Sequence, residues 1–485
     1  MNRLLILALA ASFACGTGAA PGGGAPAIQS FVPSRSSISG GEQVQLTAVF
    51  QGGAGSVDQG VGAVQSGVAV TVSPAVSTTY VLTVSGPGGA NVTTSVTVLV
   101  SQGTACIGKP LLQSLGKTSI LMGATMADST SSAATWDARY IYLAGGLFDS
   151  SSPCASCASS CNAAGHSCAG GACVWWGCWQ YDQDPPGAYA RSFITGAKTR
   201  VQVPWFTYYE LLQASGLPEG TAQVPALNDA TFLTRYLGDF RFLLQQIGSD
   251  AAFVHVEPDF WAYAQMVNSN PHAIPAKVRE AAAADCGTEE ESLAGVVHCL
   301  IAMTRKYAPH ARIGLHASGW ATGTDVSLNT NASLDVGAEA RKVATFLSAA
   351  GAGASDFVAT DASDRDAGYY ASIGRQTWWD ATNASLPSFH QEFAWAKALA
   401  EGLQLPVFFW QVPVGNSSQT NVADHWKDNR VEYFYAHAGE LAAAHVAGAL
   451  FGAGAGGMTT PETDSGVLLG REQAYVSAGG QPLCP

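Results

Sequence analysis

The sequence is poor in charge, and poorest in positive charge. Only 12% of its 485 residues are charged, and 23 Lys and Arg stand against 36 Asp and Glu, which gives a formal net charge of −13. Nucleic acids and anionic membrane surfaces are bound through basic patches, so this balance argues against both as partners. Because 47% of the residues are hydrophobic, the chain is expected to form a large globular core.

Several motifs of well-known chemistry are also missing. The sequence has no G-x-S-x-G nucleophile elbow and no phosphate-binding loop. Asp361, Asp364 and Asp366 could offer oxygen ligands to a calcium ion, but their loop lacks the Gly and the closing Glu of the known calcium loop. We therefore expect neither a metal ion nor a cofactor.

The N-terminus predicts export. Asn2 and Arg3 form a short basic start, residues 4–11 form an apolar run of signal-peptide length, and that run is too short to span a bilayer in the mature protein. Cys15 follows Ser12, Phe13 and Ala14 in a segment that resembles a bacterial lipoprotein cleavage site, which implies a lipid anchor; cleavage without lipid is the alternative. Residues 1–26 are thus interpreted as signal or anchor and tether, in a protein of the periplasm, the outer surface or the extracellular space.

The number of cysteines agrees with an oxidising compartment. Without Cys15 ten of the 11 remain, an even number. We expect disulfide bonds between Cys286 and Cys299 and between Cys106 and Cys484. The other six crowd into a Cys-rich insertion at residues 148–194, where a disulfide knot is favoured over a zinc site; they are Cys154, Cys157, Cys161, Cys168, Cys173 and Cys178.

Two domains are predicted from the change in pattern near residue 100. Residues 27–102 contain short β-rich runs separated by Gly, Pro and Ser, which predicts a small β-sandwich. Its segment 76–84 resembles the immunoglobulin-like modules of exported bacterial proteins, which implies a spacer. Residues 106–485 alternate apolar runs with helical stretches, which predicts an α/β fold of the (β/α)8, TIM-like barrel type; the short interval 127–138 leaves a seven-stranded barrel open. The eight runs are 119–126, 139–146, 199–205, 252–258, 312–316, 356–361, 406–411 and 446–451.

The stretch 253–263, FVHVEPDFWAY, is the centre of the predicted site. It is typical of a buried strand that ends in two carboxylates, Glu257 and Asp259, and in an aromatic wall. Barrel strands carry functional residues at their carboxyl ends, and paired carboxylates among rings suit glycoside hydrolysis. An ion-paired strand end without catalysis is the alternative. Further candidates at predicted strand ends are Asp361 as a catalytic residue, and Trp205, Trp261, His316, Trp320, Asp364, Trp410 and Gln411 as substrate-binding residues.

Four segments resemble glycoside hydrolase family six cellulases in order and spacing. They are 256–259 (VEPD), 313–320 (IGLHASGW), 357–365 (FVATDASDR) and 409–415 (FWQVPVG). The resemblance implies that Asp259 donates the proton. Where that family has Glu and Asp after the last segment, this chain has Asn416 and two serines, so the base is unassigned and Asp361 or Glu257 would have to serve. Glu257-Pro258 also resembles half of the N-E-P strand end of retaining barrel glycosidases, although Gln411 stands where their nucleophile would be.

The sequence thus predicts an exported, monomeric glycoside hydrolase for a polysaccharide or oligosaccharide. Asp259 or Glu257 would donate the proton, and Asp361 would activate water or stabilise the cationic transition state. Gln411 and Asn416 favour the alternative, a carbohydrate-binding barrel that does not catalyse.

Overall fold

The structure, a computed structural model, describes residues 25–35, 37–39, 42–74, 76–101, 106–144, 147 and 187–483. Cys15, the six clustered cysteines, Cys484 and most of the Cys-rich insertion lie outside these ranges, so the predictions made for them are not tested. The chain divides into two compact units, residues 1–100 and 101–485.

The first unit is all β. One antiparallel sheet has the order β1-β3-β6 and a second has the order β2-β8-β7-β4-β5. Alternate residues of β3 are buried, and Leu46 and Leu82 are fully enclosed, as expected of strands with one face on a core. The immunoglobulin-like character stays a prediction. The strands are β1 Ala27–Pro33, β2 Ser37–Ser39, β3 Val44–Gln51, β4 Ala54–Val57, β5 Gly62–Val64, β6 Ala69–Val72, β7 Thr78–Ser85 and β8 Asn91–Ser101.

The second unit contains a closed barrel of eight parallel strands, which confirms the predicted (β/α)8 fold. Each of the eight predicted runs overlaps one barrel strand, although the third run begins four residues before β11 and ends three residues before that strand does. The short first interval carries only a six-residue helix. The strands are β9 Leu121–Ala124, β10 Ala138–Leu143, β11 Val203–Tyr208, β12 Ala252–Val256, β13 Ala311–His316, β14 Phe357–Asp361, β15 Val407–Val412 and β16 Val446–Phe451.

Helices follow the strands and cover the barrel. The long ones are amphipathic and begin at capping residues: the Asp229 and Ser292 side chains accept backbone N–H bonds at the starts of α5 and α9. The predicted disulfide bond between Cys286 and Cys299 is present and joins α8 to α9. The helices are α1 Lys109–Ser114, α2 Asp128–Ala133, α3 Ala188–Thr199, α4 Leu211–Ser215, α5 Ala230–Ile247, α6 Phe260–Val267, α7 Val278–Ala281, α8 Ala283–Cys286, α9 Leu293–Tyr307, α10 Val336–Ala349, α11 Ala367–Ser372, α12 Phe389–Leu403, α13 Arg430–Ala436, α14 Ala438–Ala443 and α15 Val467–Ser477.

Aromatic rings fill the inside of the barrel. Trp205 packs against Phe253, Phe357 and Phe408 with ring centroids 4.8–5.3 Å apart, and it is fully buried. Gly314 of β13 leaves room for this layer, since a Cβ there would lie 2.3 Å from the Phe357 ring. Trp205 is therefore a core residue, which corrects its predicted role in binding sugar.

No helix among the described residues is both long and apolar enough to cross a membrane.

Candidate active site

Three predicted residues meet at the carboxyl ends of three adjacent strands. His316 ends β13, Asp361 ends β14, and Asp259 follows β12 by three residues. One side-chain donor atom of each lies within 4.8 Å of those of the other two. His316 Nε2 is 3.1 Å from Asp361 Oδ1, and the Ser318 hydroxyl donates to Asp259 Oδ1 at 3.4 Å. Carboxyl groups distant in the chain are thus brought together by the parallel order of the strands.

The turn after β12 separates its two carboxyl groups. Glu257 and Asp259 both have positive φ, 49° and 69°, which is uncommon for residues with a side chain. Asp259 stands at the N-cap of α6 but makes no side-chain capping bond. Its carboxyl group therefore remains available at the site, and the unusual backbone is of the kind that concentrates at functional sites.

Glu257 turns the other way. Its carboxyl group is fully buried and accepts the backbone N–H groups of Glu210 at 3.0 Å and Leu211 at 3.2 Å. Burial raises its pKa to about 8, although these bonds act in the opposite direction. Glu257 anchors the loop after β11 and does not line the cleft, which corrects its predicted catalytic role.

The electrostatics of Asp259 suit an acid. Burial is the main cause that raises its pKa to about 6, and the neighbouring Asp361 contributes in the same direction, while His316 and Ser318 lower it. Two carboxyl groups that share a site cannot both ionise freely, so the more buried one keeps its proton to higher pH.

A buried chain of polar groups lies behind Asp361. His316 Nδ1 is 3.2 Å from His255 Nε2, and His255 Nδ1 is 3.4 Å from the Thr207 hydroxyl. His255 is fully enclosed, and burial lowers its pKa well below its usual value, so it is neutral. The contact with His255 fixes how the His316 ring faces Asp361.

Asp259 and Asp361 line a cleft of about 270 Å³. His316 is 1% exposed and is not among the lining residues, so it contacts Asp361 instead of a substrate, which corrects its predicted role in binding sugar. Trp320 and Asp364, both predicted, line the cleft, and the Trp320 ring lies 4.9 Å from that of Tyr263. Asp364 is ion-paired with Arg365 and accepts the Tyr370 hydroxyl. Sequence reasoning missed several cleft residues because they lie in loops without periodicity or beyond a strand end; they are Glu219, Tyr263, Asp325, Tyr370, Arg375 and Thr377.

The other predicted rings lie beside the cleft and not in it. Trp261 is 2% exposed, and its indole N–H donates to the Val256 carbonyl, so it packs beneath the turn and cannot stack on a sugar. Trp410 is 4% exposed and packs against Tyr142 and the two histidines. Gln411, at positive φ in a bulge of β15, is buried and bonded to the Tyr142 hydroxyl. These three residues support the floor instead of contacting a ligand in the cleft.

Among the described residues, one group of side chains could hold a metal ion, and it is again Asp259, His316 and Asp361. Carboxylate and imidazole ligands suit several divalent cations. His316 Nε2, however, already faces Asp361 Oδ1 at hydrogen-bond distance, and this direct bond uses the atoms that an ion would need.

Comparisons with known proteins find similarity in structure but not in sequence. No protein-family model and no curated protein matches the sequence. Several of the solved structures that match are glycoside hydrolases. A Cellulomonas fimi endo-β-1,4-mannanase, described with the family 26 mannanases, has 12% identity and a TM-score of 0.42 over 77% of this chain and 74% of that one. A family 10 xylanase from termite gut with a bacterial Ig-like domain has 10% identity and a TM-score of 0.38 over 92% and 99%. The Mycobacterium tuberculosis endoglucanase Cel6 has 14% identity and a TM-score of 0.26 over 46% and 56%, so the likeness to family six cellulases is weak. At these values function rests on the site itself.

Proposed function

We propose that the protein is a glycoside hydrolase in which Asp259 and Asp361 carry the chemistry. The supporting observation is their meeting across His316 on the floor of a cleft that Trp320 and Tyr263 line. Hydrolysis of a glycosidic bond commonly uses one protonated and one ionised carboxyl group. Aromatic rings beside them can stack on sugar faces and bind the substrate. The raised pKa of Asp259 makes it the proton donor.

The distance between the carboxyl groups favours retention of configuration. The two donor oxygens lie within 4.8 Å; retaining enzymes have carboxyl groups about 5–5.5 Å apart and inverting ones about 6.5–9.5 Å apart. Asp259 gives its proton to the glycosidic oxygen as the bond to C1 breaks, and an Asp361 oxygen bonds to C1. Asp259 then takes a proton from water, and that water hydrolyses the ester and releases Asp361.

The substrate class and the cellular location are part of the same proposal. A polysaccharide or oligosaccharide fits an open, ring-lined cleft. Export, with Cys15 as a lipid anchor, fits the N-terminal pattern and the Cys286–Cys299 disulfide bond.

The test uses Asp259→Asn and Asp361→Asn against a panel of glycans, with reducing-end release as the readout. Each variant should lose about 10³-fold or more in kcat, because each removes a group that acts in the transition state. The unfolding midpoints should be unchanged. Proton NMR of the first product anomer distinguishes retention from inversion. Full activity in both variants would refute the catalytic assignment, and an inverted product would refute Asp361 as nucleophile.

A further inference from the structure

A series of hydrogen bonds crosses the inside of the barrel and ends on Asp361. The Trp205 indole N–H donates to the Thr207 hydroxyl at 3.2 Å, and that hydroxyl oxygen lies 3.4 Å from His255 Nδ1. His255 Nε2 is 3.2 Å from His316 Nδ1, and His316 Nε2 is 3.1 Å from Asp361 Oδ1. We refer to these five side chains as the Trp205–Asp361 network. Its first four members are at most 1% exposed, so bulk solvent does not complete their hydrogen bonds.

The stagger of the barrel strands produces this network. Trp205 and Thr207 lie two residues apart in β11 and therefore share a face, and Thr207 is the register partner of His255 in β12. His316 in β13 lies two residues beyond the partner of His255, and Asp361 in β14 lies two residues beyond the partner of His316. From β12 onwards each step to the next strand is thus also a step towards the carboxyl ends, and the network joins the ring layer to the cleft.

The indole sets the direction of the first two hydrogen bonds. Tryptophan has one N–H donor and no acceptor, so the Thr207 oxygen accepts from Trp205. In the described part of the chain, His255 Nδ1 is the acceptor within reach of the Thr207 hydroxyl proton. A buried hydroxyl proton without an acceptor is costly. Thr207 therefore donates, and His255 Nδ1 accepts.

The direction continues through both imidazoles. Burial lowers the pKa of His255 well below its usual value, so its ring is neutral and carries one N–H group. Because Nδ1 accepts, that proton is on Nε2 and is donated to His316 Nδ1. His316 then carries its own proton on Nε2 and donates it to Asp361. The network thus runs from a group that can only donate to a group that, when ionised, can only accept, and one direction satisfies every member.

We propose that Thr207 and His255 are positioning residues for Asp361. They hold the His316 ring as the tautomer that donates from Nε2, and a donor held in this direction meets the negative charge of the nucleophile where a lone pair would repel it. The bond occupies Asp361 Oδ1 and leaves Oδ2 without a hydrogen-bond partner among the described residues, so Oδ2 is the oxygen that bonds to C1. This inference rests on the proposed function and deepens it.

The tautomers of the two histidines give the first measurement. The histidine side chains are labelled with ¹⁵N, and long-range ¹H–¹⁵N correlation spectra report which ring nitrogen carries the proton. His255→Asn and His316→Asn assign the two sets of signals by their loss. Both rings should be neutral with the proton on Nε2. A proton on Nδ1 of either ring, which a metal ion on His316 Nε2 would require, or an imidazolium at His316, would overturn the inference.

Thr207→Val tests whether the network acts on the reaction, because it keeps the shape of the side chain and removes the hydroxyl. It should lower kcat by about 10-fold or more and change KM by less than about 2-fold, since the nucleophile and not the bound sugar loses its support. It should also move the Nδ1 signal of His255. Thr207→Ser keeps the hydroxyl and should restore most of kcat. Thr304→Val is the matched control, because Thr304 is equally buried but donates to the Leu300 carbonyl within α9, and it should change neither kcat nor the histidine signals.

The outcomes separate this inference from the proposed function. Equal effects of Thr207→Val and Thr304→Val on kcat would show that the Thr207 hydroxyl only supports the fold, which would overturn the inference and leave the hydrolase standing. Cleavage of no glycan would count against the hydrolase, and the spectra would then decide the inference. Protons on both Nε2 atoms, with a His255 signal that moves in Thr207→Val and not in Thr304→Val, support it, and any other pattern overturns it.

Discussion

The two sides of the barrel mouth use similar residues for opposite purposes. At the ends of β12 and β14, Asp259 and Asp361 line a cleft, and the buried His316 at the end of β13 contacts Asp361. At β15 and β10, Gln411, Trp410 and Tyr142 also stand near strand ends, but they pack on one another; Gln411 and Trp410 are buried and Tyr142 is partly buried. A polar or aromatic residue at a strand end is therefore not sufficient for a site. The loop above the strand must leave it open, and the direction of the backbone must turn the side chain towards that opening.

The tryptophans offer the sharpest test of this comparison. Trp205→Ala should reduce the free energy of unfolding by about 3–5 kcal/mol, because it empties the centre of the ring layer inside the barrel. Trp320→Ala should leave that free energy within about 1 kcal/mol, since the ring is only partly buried, but should raise KM for a glycan. Urea unfolding and steady-state kinetics measure the two effects.

Trp205→Phe is the control for volume and should recover most of the stability. If Trp205→Ala changed KM without loss of stability, the assignment of Trp205 to the core would be wrong.

Glu257 and Asp259 lie two residues apart and show the same contrast between a residue that supports the fold and a residue that lines the cleft. Glu257→Gln should lower the free energy of unfolding by about 1–3 kcal/mol, because its amide group meets the N–H donors of Glu210 and Leu211 less well. Asp259→Asn, by contrast, should affect activity alone. Urea unfolding at pH 5 gives the measurement.

The raised pKa of Glu257 should also make the stability of the protein depend on pH. The pKa of Glu257 is raised to about 8 in the folded protein, and an unfolded Glu titrates near about 4.3. The folded state therefore binds the proton more tightly, so this stability is present below the unfolded pKa and is lost as the pH rises through about 8. Urea unfolding at pH 5 and pH 8.5 should show the decrease, and Glu257→Gln should reduce it. A stability that rises over this range in both proteins would contradict the assignment.

The imidazole beside the acid is expected to set the pH profile of the reaction. Because Asp259 must be protonated to act, kcat should fall as the pH rises through about 6. His316 lowers the pKa of Asp259, so His316→Asn should move this limb to higher pH while also reducing kcat. His298→Asn, on the exposed side of α9, is the control. A limb that stayed in place would show that another group is the acid.

The sequence was sufficient for the barrel, for physical reasons that can be named. Buried parallel strands are near-continuous apolar runs, and their ends are where Asp259, His316 and Asp361 stand. It was not sufficient for the direction of side chains. Positive φ at Glu257 and Asp259 turns adjacent carboxyl groups apart, and the inward orientation of Trp205 is set by the closure of the barrel.

The loops were harder still. Glu219 and Asp325 lie in irregular segments after β11 and β13, where no period indicates which residue returns to the cleft. Glu392 lies far along the chain, on a helix whose pattern predicts burial but not proximity to Asp361. Residues of this kind become visible only when the elements that carry them are assembled.

The smallest effect we expect is that of a chelator. Asp259, His316 and Asp361 are the same donors that a divalent cation would use. Acid–nucleophile catalysis and metal-assisted catalysis at this site must therefore be distinguished by experiment. In the proposed hydrolysis the proton of Asp259 and an oxygen of Asp361 do the work directly, and EDTA should leave kcat and the unfolding midpoint unchanged. Dialysis against chelator, elemental analysis and assay with and without added zinc, manganese or calcium measure this. Loss of activity that a metal restores, together with loss of metal in His316→Asn, would replace the acid–nucleophile pair by a metal-activated water, because one ion cannot occupy those atoms and leave them free to act.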